Sequence, residues 1–186
     1  NQLLDQRNNT IVSQYELRFT GPDLCGALNQ EGAILYQQAQ YRDAIRKFQD
    51  ALACYHKAND RQGEGTALNN IAGIHLSLGN YEEALEYFEQ ALAIRREIGD
   101  RAGEGVTLHN IGSIYARQGQ YNEALTYQKQ ALSISRELND KTSEGVTLNS
   151  IGYIYHHLGQ YIEALDYYGQ ALSIRREVGD QAGEGV

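Results

Sequence analysis

A period of 40 residues dominates this chain. NDRQGEGT begins at Asn59, GDRAGEGV at Gly99, NDKTSEGV at Asn139 and GDQAGEGV at Gly179. Self-similarity at such a spacing marks a repeat architecture, in which each unit buries its apolar face only by stacking on its neighbours. The glycines invite a phosphate-loop reading, which the residues exclude. A G-x-x-x-x-G-K-[ST] loop from Gly99 needs glycine and lysine where Glu104 and Gly105 stand, a dinucleotide loop needs a third glycine at Leu108, and Asp100 and Glu104 repel a phosphate. What persists in every copy is Asn or Gly followed by Asp. The first closes a helix in the left-handed conformation, and the aspartate accepts hydrogen bonds from the free N–H groups of the next. Glu104 then falls in a first turn, where negative charge suits the helix dipole. The stretch reads as a helix junction.

Each copy holds two apolar stripes. In one, Leu108, Ile111, Gly112 and Tyr115 follow the i, i+3, i+4, i+7 spacing of an amphipathic helix, ended by Gly119-Gln120. In the next, Ala124, Leu125, Gln128, Ala131, Leu132 and Leu138 line a helix from about Tyr121 to Glu137. HEAT and armadillo repeats share such a period, and the residue signature decides between them. Leu108-x-x-Ile111-Gly112-x-x-Tyr115 with Ala124 and Ala131 resembles the tetratricopeptide pattern W-x-x-L-G-x-x-Y…A-x-x-x-F. It recurs at Leu68/Ile71/Ala72/His75 with Ala84/Phe88/Ala91, and at Leu148/Ile151/Gly152/Tyr155 with Ala164/Tyr168/Ala171. The resemblance implies an all-α fold, a right-handed superhelical solenoid of antiparallel helix pairs over residues 21–186, with four pairs and the start of a fifth. The usual unit is 34 residues. The longer period, with Arg96, Arg136 and Arg176 in place of a closing proline, predicts an extended second helix. Units of this length resemble those of Pins/LGN-type adaptors and of bacterial tetratricopeptide signalling proteins.

The first copy departs from the pattern: Glu31 replaces an isoleucine and Ala39 the turn glycine, as terminal repeats often do. Thr20 and Pro22 read as a helix start. In residues 1–20, Ile11, Tyr15 and Phe19 fit a degenerate helix, although Ile11, Tyr15, Leu17 and Phe19 also alternate as in a strand. The chain lacks methionine and stops at Val186 within a further copy of the junction, so it reads as a piece of a longer protein.

The net charge of −8 disfavours nucleic acid and anionic membrane surfaces, both of which are bound through Lys and Arg. No apolar run approaches membrane-spanning length. Cys54 stands where other copies have Ile94, Ile134 and Ile174, so it reads as a small buried hydrophobe, and Cys25 where they have Gly65, Gly105 and Gly145. Without the look of a disulfide framework, the two point to a reducing, cytoplasmic location.

Function has to come from the surface that stacking leaves free. The first-helix face opposite the stripe carries Val106, Asn110, Ser113 and Arg117, with His109 at its edge; its counterparts are Asn69 and Asn70 in the preceding copy and Asn149, Ser150, Tyr153, His156 and His157 in the following one. Asn29, Gln30 and Tyr36 extend the row backwards. The tetratricopeptide resemblance implies that this face lines the concave groove. Amides offering donor and acceptor together suit an extended peptide backbone, with tyrosines for apolar contact. Tetratricopeptide clamps for a C-terminal carboxylate use Lys and Arg, of which only Arg117 is present here.

Catalysis, cofactors and metals find no support. His156 and His157 are adjacent rather than one turn apart, Ser113 has His109 one turn away but no acid to orient it, and His75 in the tyrosine position reads as a packed, hydrogen-bonded core residue. Glu82, Glu83, Glu86, Glu89, Arg95 and Arg96 read as solvated faces. The sequence therefore predicts a non-enzymatic module for a neutral or basic protein or peptide. The alternative is a regulatory sensor arm of a larger signalling protein. The last second helix, Tyr161 to about Val178, is expected to expose an apolar stripe that allows self-association.

Overall fold

A computed structural model describes residues 22–179. The flank 1–20, read as a degenerate helix, and residues 180–186, read as the opening of a fifth unit, lie outside them. The described residues form eight α-helices and no strand: α1 (Pro22–Gln37), α2 (Tyr41–Lys57), α3 (Arg61–Leu78), α4 (Tyr81–Glu97), α5 (Arg101–Arg117), α6 (Tyr121–Glu137), α7 (Lys141–His157) and α8 (Tyr161–Glu177). The predicted second helix at Tyr121–Glu137 is reproduced to the residue.

The junctions work as the sequence requires. Asn59, Gly99 and Asn139 take left-handed φ of 54°, 71° and 54°. Asp60, Asp100 and Asp140 then accept the backbone N–H of Gly63, Gly103 and Ser143 at 2.9 to 3.0 Å. Each aspartate satisfies a donor that the helix start leaves free. The turns inside the pairs lack this device: Gln40, Gln120 and Gln160 precede α2, α6 and α8 without a side-chain cap. Those turns rely on a left-handed residue alone, which is Gly119 and Gly159 in two of them and Ala39, at φ 58°, in the first.

Two compact units divide the chain between Tyr87 and Phe88. In the first, α2 packs against both α1 and α3. Ala44, Phe48, Ile71 and Ile74 form one cluster, and Cys25, Ala51, Tyr55 and Ala67 another. In the second unit, α5 pairs with α6, α7 with α8, and α6 also meets α7. Its core includes Leu132, Leu148, Ile151, Ala171 and Ile174. The stripe isoleucines at 71, 111 and 151 are fully buried; burying each contributes about 1.5–3 kcal/mol. Within the last three pairs an aromatic contact repeats: His75 stacks on Tyr87, Tyr115 on Tyr127 and Tyr155 on Tyr167, with ring centroids 5.2 to 5.6 Å apart. His75 is thus packed as predicted, but its Nδ1 is buried without a hydrogen-bond partner.

Three sequence readings need correction. Cys25 and Cys54 form a disulfide between α1 and α2, with Cα atoms 5.3 Å apart. They occupy positions that face each other within a pair: a Cβ on Gly105 would lie 3.1 Å from Ile134, and one on Gly145 3.3 Å from Ile174. The argument for a reducing compartment from cysteine usage therefore falls away. Arg95 is not a solvated residue but 8% exposed, donating through Nη1 to the Gly103 carbonyl and to Thr107 Oγ1. Nor is Glu104 simply a dipole partner. Glu64, Glu104 and Glu144 are all buried, and each is held between the end of one pair and the start of the next. Glu104 accepts from Arg96 and Arg101, Glu144 from Arg136 and Lys141, and Glu64 from Arg61, with His56 Nδ1 3.1 Å away. Such multiple charge-assisted bonds offset the desolvation of a buried carboxylate.

Candidate functional site

The predicted groove residues come together within each unit. In the first, Asn70 Nδ2 on α3 donates to Asn29 Oδ1 on α1 at 3.1 Å, and the Tyr36 hydroxyl meets Ser77 Oγ at 3.0 Å. The first helices of consecutive pairs are thereby tied along the face opposite their core stripes. Gln30 on the same face is exposed, whereas Asn69 is half-buried with Oδ1 enclosed and unpartnered.

In the second unit, α5 and α7 border an open cavity of about 370 Å³. Five predicted residues line it: Ser113 and Arg117 from α5, and Asn149, Ser150 and Tyr153 from α7. Their spacing explains this, because i, i+3/i+4 steps keep them on one side of each helix. Tyr153 is 47% exposed. Beyond it, His157 lies 4.3 Å from the Tyr153 ring and stacks on Tyr121, while His156 meets Tyr161 edge-on, ring centroids 5.5 Å apart. The two histidines thus extend an aromatic edge of the site. Asn110 is half-buried and does not line the cavity.

Gln128 on α6 belongs to the buried stripe, as the sequence predicts. It lines the same cavity, although it is fully buried. Its Nε2 donates to the His109 carbonyl at 3.1 Å and lies 3.4 Å from Ser113 Oγ; Oε1 is buried without a partner. The signal was present in the repeat register, where Phe48, Phe88 and Tyr168 occupy the position that Gln128 fills. A polar floor replaces an aromatic one in this copy alone.

His109 sits beside this floor. Burial pushes its imidazole below the ordinary histidine value, with the neighbouring Gln128 side chain acting the other way, and Nδ1 is enclosed without a partner. Ser113 Oγ donates to the His109 backbone carbonyl at 2.9 Å, which is helix back-bonding rather than a nucleophile held by a base. Among the described residues no three His, Cys, Asp or Glu side chains cluster as a metal site would require. No described helix is long and apolar enough to cross a membrane.

The helix pairs carry the tetratricopeptide signature, and a tetratricopeptide repeat family model matches residues 23–97 and 103–177. The chain belongs to the tetratricopeptide repeat family. Solved tetratricopeptide-like structures agree on the fold. BtubC (BKLC) from P. vanneervenii is 22% identical, with a TM-score of 0.78 over 88% of this chain and 68% of its own. Aspartyl phosphate phosphatase F from Bacillus subtilis is 22% identical, with a TM-score of 0.83 over 96% of this chain and 49% of its own. A signal transduction ATPase with numerous domains, with a tetratricopeptide repeat sensor, from Pyrococcus horikoshii is 22% identical, with a TM-score of 0.75 over 84% of this chain and 24% of its own. At such identity the likeness concerns the fold. The repeat array thus spans about half of the phosphatase and a quarter of the ATPase. No curated protein matches the chain.

Proposed function

We propose that this tetratricopeptide array is a non-enzymatic protein-interaction module that holds an extended segment of a partner along its groove face. The observation that carries this reading is the open cavity of about 370 Å³ in which two serine hydroxyls, the Asn149 amide, Arg117 and an exposed tyrosine converge. Asn149 supplies a donor and an acceptor to a peptide unit, Ser113 and Ser150 supply hydroxyls, and Tyr153 supplies an amphipathic ring at small entropic cost. With a net charge of −8, the partner segment is neutral or basic. Replacing Asn110, Asn149 and Tyr153 together by alanine tests it: partner capture in a pulldown is lost while the far-ultraviolet circular dichroism spectrum is retained. Undiminished capture contradicts the groove. A regulatory arm of a larger signalling protein is the second reading, favoured by the likeness to the array that serves as a sensor in the ATPase. An effector domain in the same reading frame supports it.

The last described helix, α8, carries a separate proposal, association with a second copy. Ile45 and Leu125 in the earlier pairs pack into clusters with Ile71 and Ile74, and with Leu148 and Ile151, of the following helix. Their counterpart Leu165 is 72% exposed, and Ile162 beside it 83%. Ile162 also replaces Arg42, Glu82 and Asn122 of the other copies, so this end is more apolar than the repeat pattern demands. A helix of another copy fits a face built to receive one. Light scattering at high concentration is expected to show dimers that Ile162→Glu with Leu165→Glu disperses; a strict monomer rejects this proposal.

A further inference from the structure

One cavity of the second unit is explained by a side chain that the other repeats possess and this one lacks. The position filled by Arg95 holds Tyr55 in the preceding copy and Ser135 in the following one, and the residue eight places on is Gly103, Gly63 and Ser143 respectively. The two positions are complementary. A Cβ on Gly63 would lie 2.2 Å from the Tyr55 ring, and one on Gly103 2.1 Å from Asp100 Oδ2 and 2.8 Å from Arg95 Cδ and Nε. Where the first residue is large, the second is therefore glycine; where it shrinks to serine, a serine is tolerated. Ser135 itself turns back, donating to the Leu132 carbonyl at 2.9 Å. The space is left as a cavity of about 130 Å³, walled by Val106, Leu138 and Val146 among others. A cavity of about 150 Å³ admits benzene.

Its polar wall is informative. Arg95 Nε lies 3.9 Å from Asp100 Oδ2, and Nη1 donates to the Gly103 carbonyl and, at 2.9 Å, to Thr107 Oγ1. The counterparts of those three acceptor residues are Asp140, Ser143 and Thr147, and all three line the cavity. Asp140 is exposed, and hydrogen bonds from Ser143 hold its carboxyl below the ordinary aspartate value, so the site carries a negative charge at neutral pH. We infer that this cavity accepts an arginine side chain of the partner, its stem against Val106, Leu138 and Val146 and its guanidinium on Asp140, the Ser143 carbonyl and Thr147 Oγ1. The arginine that the chain packs on the matching residues one repeat earlier is the template for the ligand. A planar fork with five donors suits three converging acceptors, and a weakly hydrated cation suits a half-enclosed site. The inference rests on the reading that a protein segment is the ligand, and it adds a residue type to it.

The test uses the chain as it stands, with Nα-acetylarginine methylamide as probe and amide NMR shifts as readout. Saturable shifts are expected around Val106, Ser143 and Thr147. The neutral, isosteric citrulline analogue is expected to bind about tenfold more weakly, and Asp140→Asn to weaken the arginine probe by a similar factor. Ser135→Arg combined with Ser143→Gly recreates the preceding repeat's pair, and is expected to fill the cavity and abolish the shifts. No saturable shift at these residues, equal binding of the citrulline analogue, or undiminished binding to the filled variant overturns the inference. The groove variant lacking Asn110, Asn149 and Tyr153 is expected to bind the probe normally. If it also still captures the partner, the groove reading fails and the arginine site stands.

Discussion

Ala39 shows how far single residues could be read. The sequence marks it as a departure from the turn glycine, and the structure places it at φ 58°. A Cβ in the left-handed region costs about 1–2 kcal/mol, less in asparagine, which occupies the two other such non-glycine sites among the described residues, Asn59 and Asn139. Glycine gives part of that gain back as backbone entropy. Ala39→Gly is therefore expected to raise unfolding stability by about 0.5–1 kcal/mol, seen as a higher urea midpoint at unchanged slope; an unchanged midpoint would show the turn to be unstrained. The buried charges were less legible. Arg95 and Glu104 look like surface residues on their own helices, and only the meeting of one helix's end with the next helix's start encloses them. Periodicity along one helix holds no information about that meeting.

At the scale of the element, helix bounds and junctions were legible because Asn/Gly-Asp signals and the 3.6-residue stripe agree with one another. The disulfide was not, since adjacency of positions 25 and 54 follows from how α1 packs on α2. The available sign was that one copy departs from the pattern at both of two facing positions. The bond closes a loop with a sequence separation of 29, for which the chain-entropy account gives about 3–4 kcal/mol. Reduction, or Cys25→Ser with Cys54→Ser, is thus expected to speed hydrogen exchange in α1 and α2 and to leave α5 to α8 unchanged. Exchange in α1 and α2 that ignores the redox state would contradict a staple there. The Asn70 to Asn29 bond joins α1 to α3, so the same loosening should reach that part of the groove face.

For the whole molecule, acid is the telling variable. The folded His109 value is depressed by burial, so its contribution is fully present above the ordinary value near 6.5 and is lost as pH falls below it towards the folded value. Burial would raise the Glu144 carboxyl, but hydrogen bonds from Arg136 and Lys141 outweigh it and hold the group below its usual value. That contribution is present above pH of about 4.5 and lost as pH falls through the folded value. Urea unfolding at stepped pH is expected to show stability declining first below about 6.5 and again below about 4.5, with His109→Gln removing the first step. A flat profile from pH 7 to 5 in the unsubstituted chain would contradict an enclosed neutral His109. The family and its paired helices were thus legible from the repeat and its residue signature, whereas the candidate site was legible as a face and not as a shape: Ser113, Arg117, Asn149, Ser150 and Tyr153 share a predicted face, but that they border one cavity with Gln128, and that the Arg95 position is emptied in the next copy, follows only from the packing. Both depend on which copy departs from its siblings in three dimensions. The central claim is that the partner lies along this polar face rather than along the outward side of the second helices. A photo-crosslinking residue placed in turn at Ser113 and Tyr153, and at the exposed Thr126 and Ser133 of α6, measures it directly. Crosslinks from the first two positions to one contiguous partner segment, and none from α6, are the predicted result; crosslinks from α6 in their place would contradict it.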